Sequence, residues 1–238
     1  MCNVKIVNAC NNGTITATSF FQVFVGGLIG ENSSRRNDAL VSKCLNTGDI
    51  IASGWYVGVG GLILFSSAGV IDQCSNTGNI TVSGWNVLVG GLHENFVGGM
   101  ITNCFNSGEI NVTGTSPDTA SQDLRVGGLI CDSAGFVYNC YNSGNITVSE
   151  NNDWSRIGEL VSTLGKDIAN CYNRGSISGN ELIGYAEDAV ISNCFGSKTP
   201  LEKVIAAMRD KWDNTIWDFD NTDADGNPTL RWQNKTSN

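Results

Sequence analysis

The single histidine of this chain, His93, is followed by Glu94, the opening of the His-Glu-x-x-His phrase by which a helix presents two zinc ligands and a general base. Four residues beyond His93 stands Val97, so the second ligand is missing. One histidine also argues against a triad built on an imidazole base. His93 is expected at the surface or a corner, with no catalytic or metal-binding role. Nine cysteines raise metal and disulfide readings. No Cys-x-x-Cys pair occurs, which argues against a zinc knuckle. The count is odd, and the chain is larger than the coreless domains that disulfides staple. Asn221-Thr-Asp-Ala-Asp-Gly226 has the form of the first half of a calcium loop, but Trp232 stands at its twelfth position where a bidentate glutamate belongs. An Asp/Gly turn is expected there, and calcium at Asn221, Asp223 and Asp225 stays open. Trp55 and Trp85 each follow Ser-Gly. As an exposed pair they would grip a sugar ring or a protein, and as a buried pair they would pack a corner. They are the only candidate ligand-binding residues, and no cofactor is implied.

The elements that must position these side chains come from a repeat. Seven cysteines, at 10, 44, 74, 104, 140, 171 and 194, open nearly the same phrase. It reads Cys44-Leu-Asn-Thr-Gly-Asp-Ile50, Cys74-Ser-Asn-Thr-Gly-Asn-Ile80, Cys104-Phe-Asn-Ser-Gly-Glu-Ile110 and Cys140-Tyr-Asn-Ser-Gly-Asn-Ile146, with a looser Cys171 copy. A second phrase, Gly26-Gly-Leu-Ile29, recurs as Gly60-Gly-Leu-Ile63, Gly90-Gly-Leu-His93 and Gly127-Gly-Leu-Ile130, then drifts to Gly158-Glu-Leu-Val161. A third apolar alternation precedes each cysteine, as in Val70-Ile-Asp-Gln-Cys74. Three alternating runs per copy, parted by Gly/Asn turns and without helical periodicity, predict a parallel β-solenoid. Equivalent strands stack about 4.8 Å apart, and each rung buries its apolar face against its neighbours.

In such a stack the repeat cysteines form a reduced, buried column, with Cys2 and Cys131 left unassigned. Asn46, Asn76, Asn106, Asn142 and Asn173 align as an amide ladder. Gly48, Gly78, Gly108, Gly144 and Gly175 are expected to supply left-handed corners, and the paired glycines to allow close backbone approach. Asp49 and Glu109 fall two rungs apart, about 9.6 Å, near the spacing of an inverting glycosidase pair. No basic or third acidic residue recurs beside them, so a solvated face is expected. Thr18, Ser53, Ser83, Thr113 and Ser149 make one outward hydroxyl column; Thr81, Thr147 and Ser178 make another, interrupted by Ile51 and Asn111. Thr199-Pro200 begins a helical stripe of Leu201, Val204, Ile205 and Met208, and half of the six tryptophans follow it. That tail is expected to cover the open end of the stack.

Fourteen basic residues against 23 acidic ones give a formal charge of −9, which argues against nucleic acid or an anionic membrane as the partner. No apolar run is long enough to span a bilayer, so membrane insertion is not expected. Residues 1–20 have no secretory leader, and Met1-Cys2-Asn3 runs straight into the repeat, as expected for a piece of a longer polypeptide.

The phrases resemble the GLUG-motif repeats of bacterial surface and secreted proteins, Gly27-Leu-Ile-Gly30 carrying the Gly-Leu-x-Gly core. The resemblance covers residues 1 to about 198, although Leu64, Glu94, and Asp132 or its neighbours replace the last glycine in later copies. It implies adhesin-like proteins, or the non-catalytic region of immunoglobulin A peptidases, and hence bacterial extracellular or cell-surface display. The expectation is an all-β chain: a parallel β-solenoid of six to seven rungs of three short strands over 1–198, with a helical and aromatic C-terminal cap over 199–238. Its expected function is a non-catalytic adhesion, ligand-binding or spacer module whose partner is a host glycan or protein. A carbohydrate-active β-helix enzyme and an ice-binding solenoid are the alternatives.

Overall fold

Each copy of the repeat becomes one rung. The computed structural model describes residues 5–33, 39–114, 123–149, 155–177 and 181–235; Cys2 and Ser178 lie outside them. One central rung runs Val70–Asp72, Ser75–Asn76, Ile80–Gly90 and His93–Phe96. The three expected runs build three parallel sheets of seven, six and thirteen strands, stacked in about five turns. The third run is longer than a short strand: Ile80–Gly90 pairs Ile50–Gly60 in strict 30-residue register and bends at Gly84. One apolar cluster fills that bend, with Ile80, Val82, Val87 and Val89. A second, around Leu92, Ile101 and the cysteines, fills the space between the third and first sheets. Alternation with period two explains both, since every second side chain of a strand faces inward.

The tight corner between the first and second sheets lies at the residue before each cysteine. Lys43, Gln73, Asn103, Asn139, Asn170 and Asn193 all have φ between 49° and 54°. Asparagine tolerates this left-handed region better than most residues. The phrase glycines expected to turn the corner serve another purpose. A Cβ on Gly78 would run into the carbonyl oxygen of Gly48, and one on Gly108 into that of Gly78. They are glycines because successive rungs touch backbone to backbone.

The cysteine column forms with one change of register. Cys44, Cys74, Cys104, Cys140 and Cys171 are buried free thiols, and Cys194 is half-buried. Cys10, expected at the bottom of the column, is exposed: it pairs with Leu45, which leaves Ala9 level with Cys44. Each thiol also closes the left-handed corner, donating to the carbonyl two residues back, as from Cys104 Sγ to Thr102 O at 3.0 Å. Its sulfur accepts from the rung before, as from Cys74 N at 3.4 Å.

The asparagine ladder is continuous. Nδ2 of Asn11, Asn46, Asn76, Asn106 and Asn142 each donates to Oδ1 of the next, at 2.7–2.8 Å. The second glycine of each pair, such as Gly61 against Asn76, leaves room for these amides. In the last copy that glycine is Glu159, and its buried carboxylate accepts from Asn173 Nδ2 at 3.3 Å and from the Ser197 backbone and hydroxyl at 2.7 Å. A side chain where the repeat has none thus ends the ladder.

The tail lies along the flank of the stack. The helix Leu201–Lys211 begins after Pro200, which stands at the N-cap itself without a side-chain cap bond. Val204, Met208, Trp212, Trp217 and Leu230 pack on Phe105, Tyr141, Tyr172 and Phe195, the residues after four successive cysteines. Those rings stack one per rung, 5.1 Å apart from Phe105 to Tyr141 and from Tyr141 to Tyr172. The tail was expected over the open end; instead this aromatic stripe of the second sheet seats it on the side.

Candidate functional site

Trp55 and Trp85 occupy the bend of the third sheet, one rung apart. Their rings stack with centroids 4.6 Å apart and planes 12° apart, and Trp55 is 53% exposed. The indoles pack on each other and still present a face to solvent. In the rung below, Thr18 pairs Ser53 and Gln22 pairs Tyr56, so three residues fill the bend where the next rung has two. The extra residue turns two phenylalanines outward: Phe20 is 84% and Phe21 71% exposed. Phe24, also exposed, leans on Tyr56 at 5.7 Å. The result is an aromatic ridge of Phe20, Phe21, Phe24, Trp55 and Trp85 on a rigid stack. The sequence reading missed the phenylalanines, whose signal was the one-residue excess between Thr18 and Gln22.

His93 is buried rather than at the surface. It pairs Ile63 below and Ile130 above, so the imidazole stands in a core isoleucine position. Its Nε2 lies 2.9 Å from Ser66 Oγ, and burial lowers its pKa to about 3, which keeps it neutral. Glu94 points the other way, into a buried position beside Asp132 and Arg125. Burial, reinforced by the Asp132 charge and opposed by Arg125, raises its pKa to about 8. Arg125 holds Asp123 in a two-point bridge at 2.9 Å and Asp132 at 3.0 Å. Cys131, unassigned from sequence, is fully buried under this cluster.

Asp49 and Glu109 stand exposed in one column, where backbone binding occupies the side chains of Asp49 and Asn79. Asp49 Oδ1 accepts from Asn79 N at 2.9 Å, and Asn79 Oδ1 accepts from Glu109 N at 3.0 Å. The hydroxyl columns hold their register, with Ser53 Oγ donating to Thr18 at 3.1 Å, and Ile51 interrupts the neighbouring column. The Asp/Gly turn forms as expected. Asp223 Oδ1 accepts from Asp225 N and Asn227 N, its Oδ2 accepts from Asn227 Nδ2, and Gly226 takes φ +81°. Asn221 turns its side-chain amide to Asp218. Among the described residues no helix is long and apolar enough to cross a membrane.

Fold and ridge together define a parallel β-solenoid with an aromatic corner and a laterally docked aromatic tail. No protein-family model matches the sequence, and no curated protein matches it at a significant level.

Proposed function

We propose that this chain is a non-catalytic module of a bacterial surface or secreted protein, which binds a host glycan or protein through its aromatic corner. The observation that carries the reading is the ridge of Phe20, Phe21, Trp55 and Trp85, which gathers large rings in water at one bend of the stack. Clustered exposed aromatics mark interaction sites, because their faces carry contact energy at little conformational cost. The resemblance of the repeat phrases to GLUG-motif repeats supports extracellular display, and a rigid stack suits a module that holds its contact surface away from an anchor. The test is an array of host glycans and extracellular proteins probed with the purified chain and with a Trp55→Ala, Trp85→Ala variant. Specific binding that the variant loses supports the proposal. Binding that survives intact moves the contact surface elsewhere, and turnover of an array component contradicts the non-catalytic reading.

A further inference from the structure

The tail covers the second sheet only from Phe105 onward. In the two rungs before it the equivalent residues are Leu45 and Ser75, in register with Phe105. These smaller side chains leave a trough of about 620 Å³ that ends against Trp232, a size suited to a small organic ligand. Trp232 is held in place there. Its Nε1 donates to Asn103 O at 2.9 Å, and its ring lies 5.7 Å from Phe105.

Among the described residues the lining joins this apolar end to neutral hydrogen-bonding side chains, Gln73 and Thr77 among them, and to a single charged residue, Lys43. Among the same residues no carboxylate lines the trough itself, and the lining Gln73 donates from Nε2 to Asp72 Oδ2 at 3.2 Å. On a chain of formal charge −9, a concave site whose one charge is a lysine is a local reversal of sign, and it favours an anionic ligand. Lys43 also departs from the pattern of its own corner. The same left-handed position holds Asn8, Gln73, Asn103, Asn139, Asn170 and Asn193 in the other rungs, and lysine gains nothing over asparagine in that conformation. Among the described residues Lys43 makes no ion pair.

We propose that the trough binds a carboxylated sugar, such as a uronic or sialic acid unit. Its carboxylate meets Lys43, its hydroxyls meet Gln73 and Thr77, and its ring lies toward Trp232. A fatty acid would match the charge but would strand the amide and hydroxyl groups in an apolar contact. The site is on the second sheet, whereas the Trp55–Trp85 corner is on the third, so either proposal can fail without the other.

The experiment titrates sialyllactose and tetragalacturonate into the full chain, with cellotetraose as the uncharged control and a glutamate-rich peptide as the anionic control. Binding is read by calorimetry and by saturation-transfer nuclear magnetic resonance. At least one of the two acidic sugars is expected to bind, at least tenfold more tightly than cellotetraose and the peptide, and more weakly as salt is raised. Lys43→Gln should cut the affinity about tenfold without loss of fold, since glutamine holds the same corner one rung on. Ser75→Phe should fill the trough by extending the Phe105 stack, abolishing binding while leaving the melting temperature unchanged or raised. Absence of binding by both acidic sugars, equal binding of cellotetraose, tighter binding of the peptide, or affinity retained in both variants would each overturn the proposal.

Discussion

Replacing Asn106 by alanine removes the middle of the amide ladder, where nothing can substitute for it. The side chain is fully buried. Its Nδ2 donates to Gly108 O at 3.0 Å and to Asn142 Oδ1 at 2.8 Å, and its Oδ1 accepts from Asn76 Nδ2 at 2.8 Å. Truncation therefore strands one N–H of Asn76, the Oδ1 of Asn142 and the carbonyl of Gly108, and water cannot reach them without opening the rung. Each buried polar group left unpaired costs about 1–3 kcal/mol, so three cost about 3–9 kcal/mol. For a chain of this size that is a fall in melting temperature on the order of 6–35 °C. Asn11 supplies the internal control, because it begins the ladder, is only partly buried and donates to a single neighbouring asparagine. Asn11→Ala should cost about 1 kcal/mol or less, since water replaces the lost partner. Urea unfolding of the two variants, followed by circular dichroism, separates them. If Asn106→Ala and Asn11→Ala fall within about 1 kcal/mol of each other, the ladder does not stabilise the stack in the way its geometry requires.

Three further outcomes follow from the buried titratable groups. Under native conditions an alkylating reagent should modify exposed Cys10 quickly and leave Cys74, Cys104, Cys131, Cys140 and Cys171 unmodified, as burial excludes the reagent and raises the pKa values of the last four, while the hydrogen bond with Cys104, and then burial, raises that of Cys74; mass spectrometry after a short pulse reads the sites. His93 is held at a pKa of about 3 against 6.5 when unfolded, so its contribution is complete above pH 6.5 and lost as the pH falls toward 3. His93→Ile should remove that acid-side loss, on the order of 4 kcal/mol relative to wild type, in urea midpoints measured across this range. Glu94 has the opposite slope: its folded pKa is about 8 against 4.5, so the stability it confers is present below pH 4.5 and lost as the pH rises through 8. Glu94→Gln should flatten that alkaline-side decline, and an unchanged decline would show that the carboxyl is solvated.

Much of the solenoid was legible because its contacts join copies of one phrase. Asn46, Asn76 and Asn106 sit 30 residues apart and meet directly, so the spacing in the chain is the register in space. The failures came where a copy changes length or swaps one residue. The first copy is one residue short, which slid Cys10 out of a column that Ala9 completes. His93 looked exposed by residue type, although its alignment with Ile63 and Ile130 already placed it inward. The left-handed corners were assigned to glycines on conformational freedom, when asparagines before the cysteines take them and the glycines answer to contact between rungs. The tail's seat was written in the residues after Cys104, Cys140, Cys171 and Cys194, all aromatic, but a stripe spread across four rungs is visible only once they are stacked. The aromatic ridge was half legible: the tryptophans repeat in register, whereas Phe20 and Phe21 arise from an insertion that breaks it.

The claim that this stack binds through its aromatic bend is tested most directly by an affinity titration. The strongest glycan or protein retained by the wild-type chain is titrated against wild type and against the Trp55→Ala, Trp85→Ala variant, after circular dichroism has shown both to be folded. Truncation of anchoring aromatics costs about 2 kcal/mol or more at a contact centre, so the affinity should fall at least about thirtyfold. An affinity within about twofold of wild type would contradict the account.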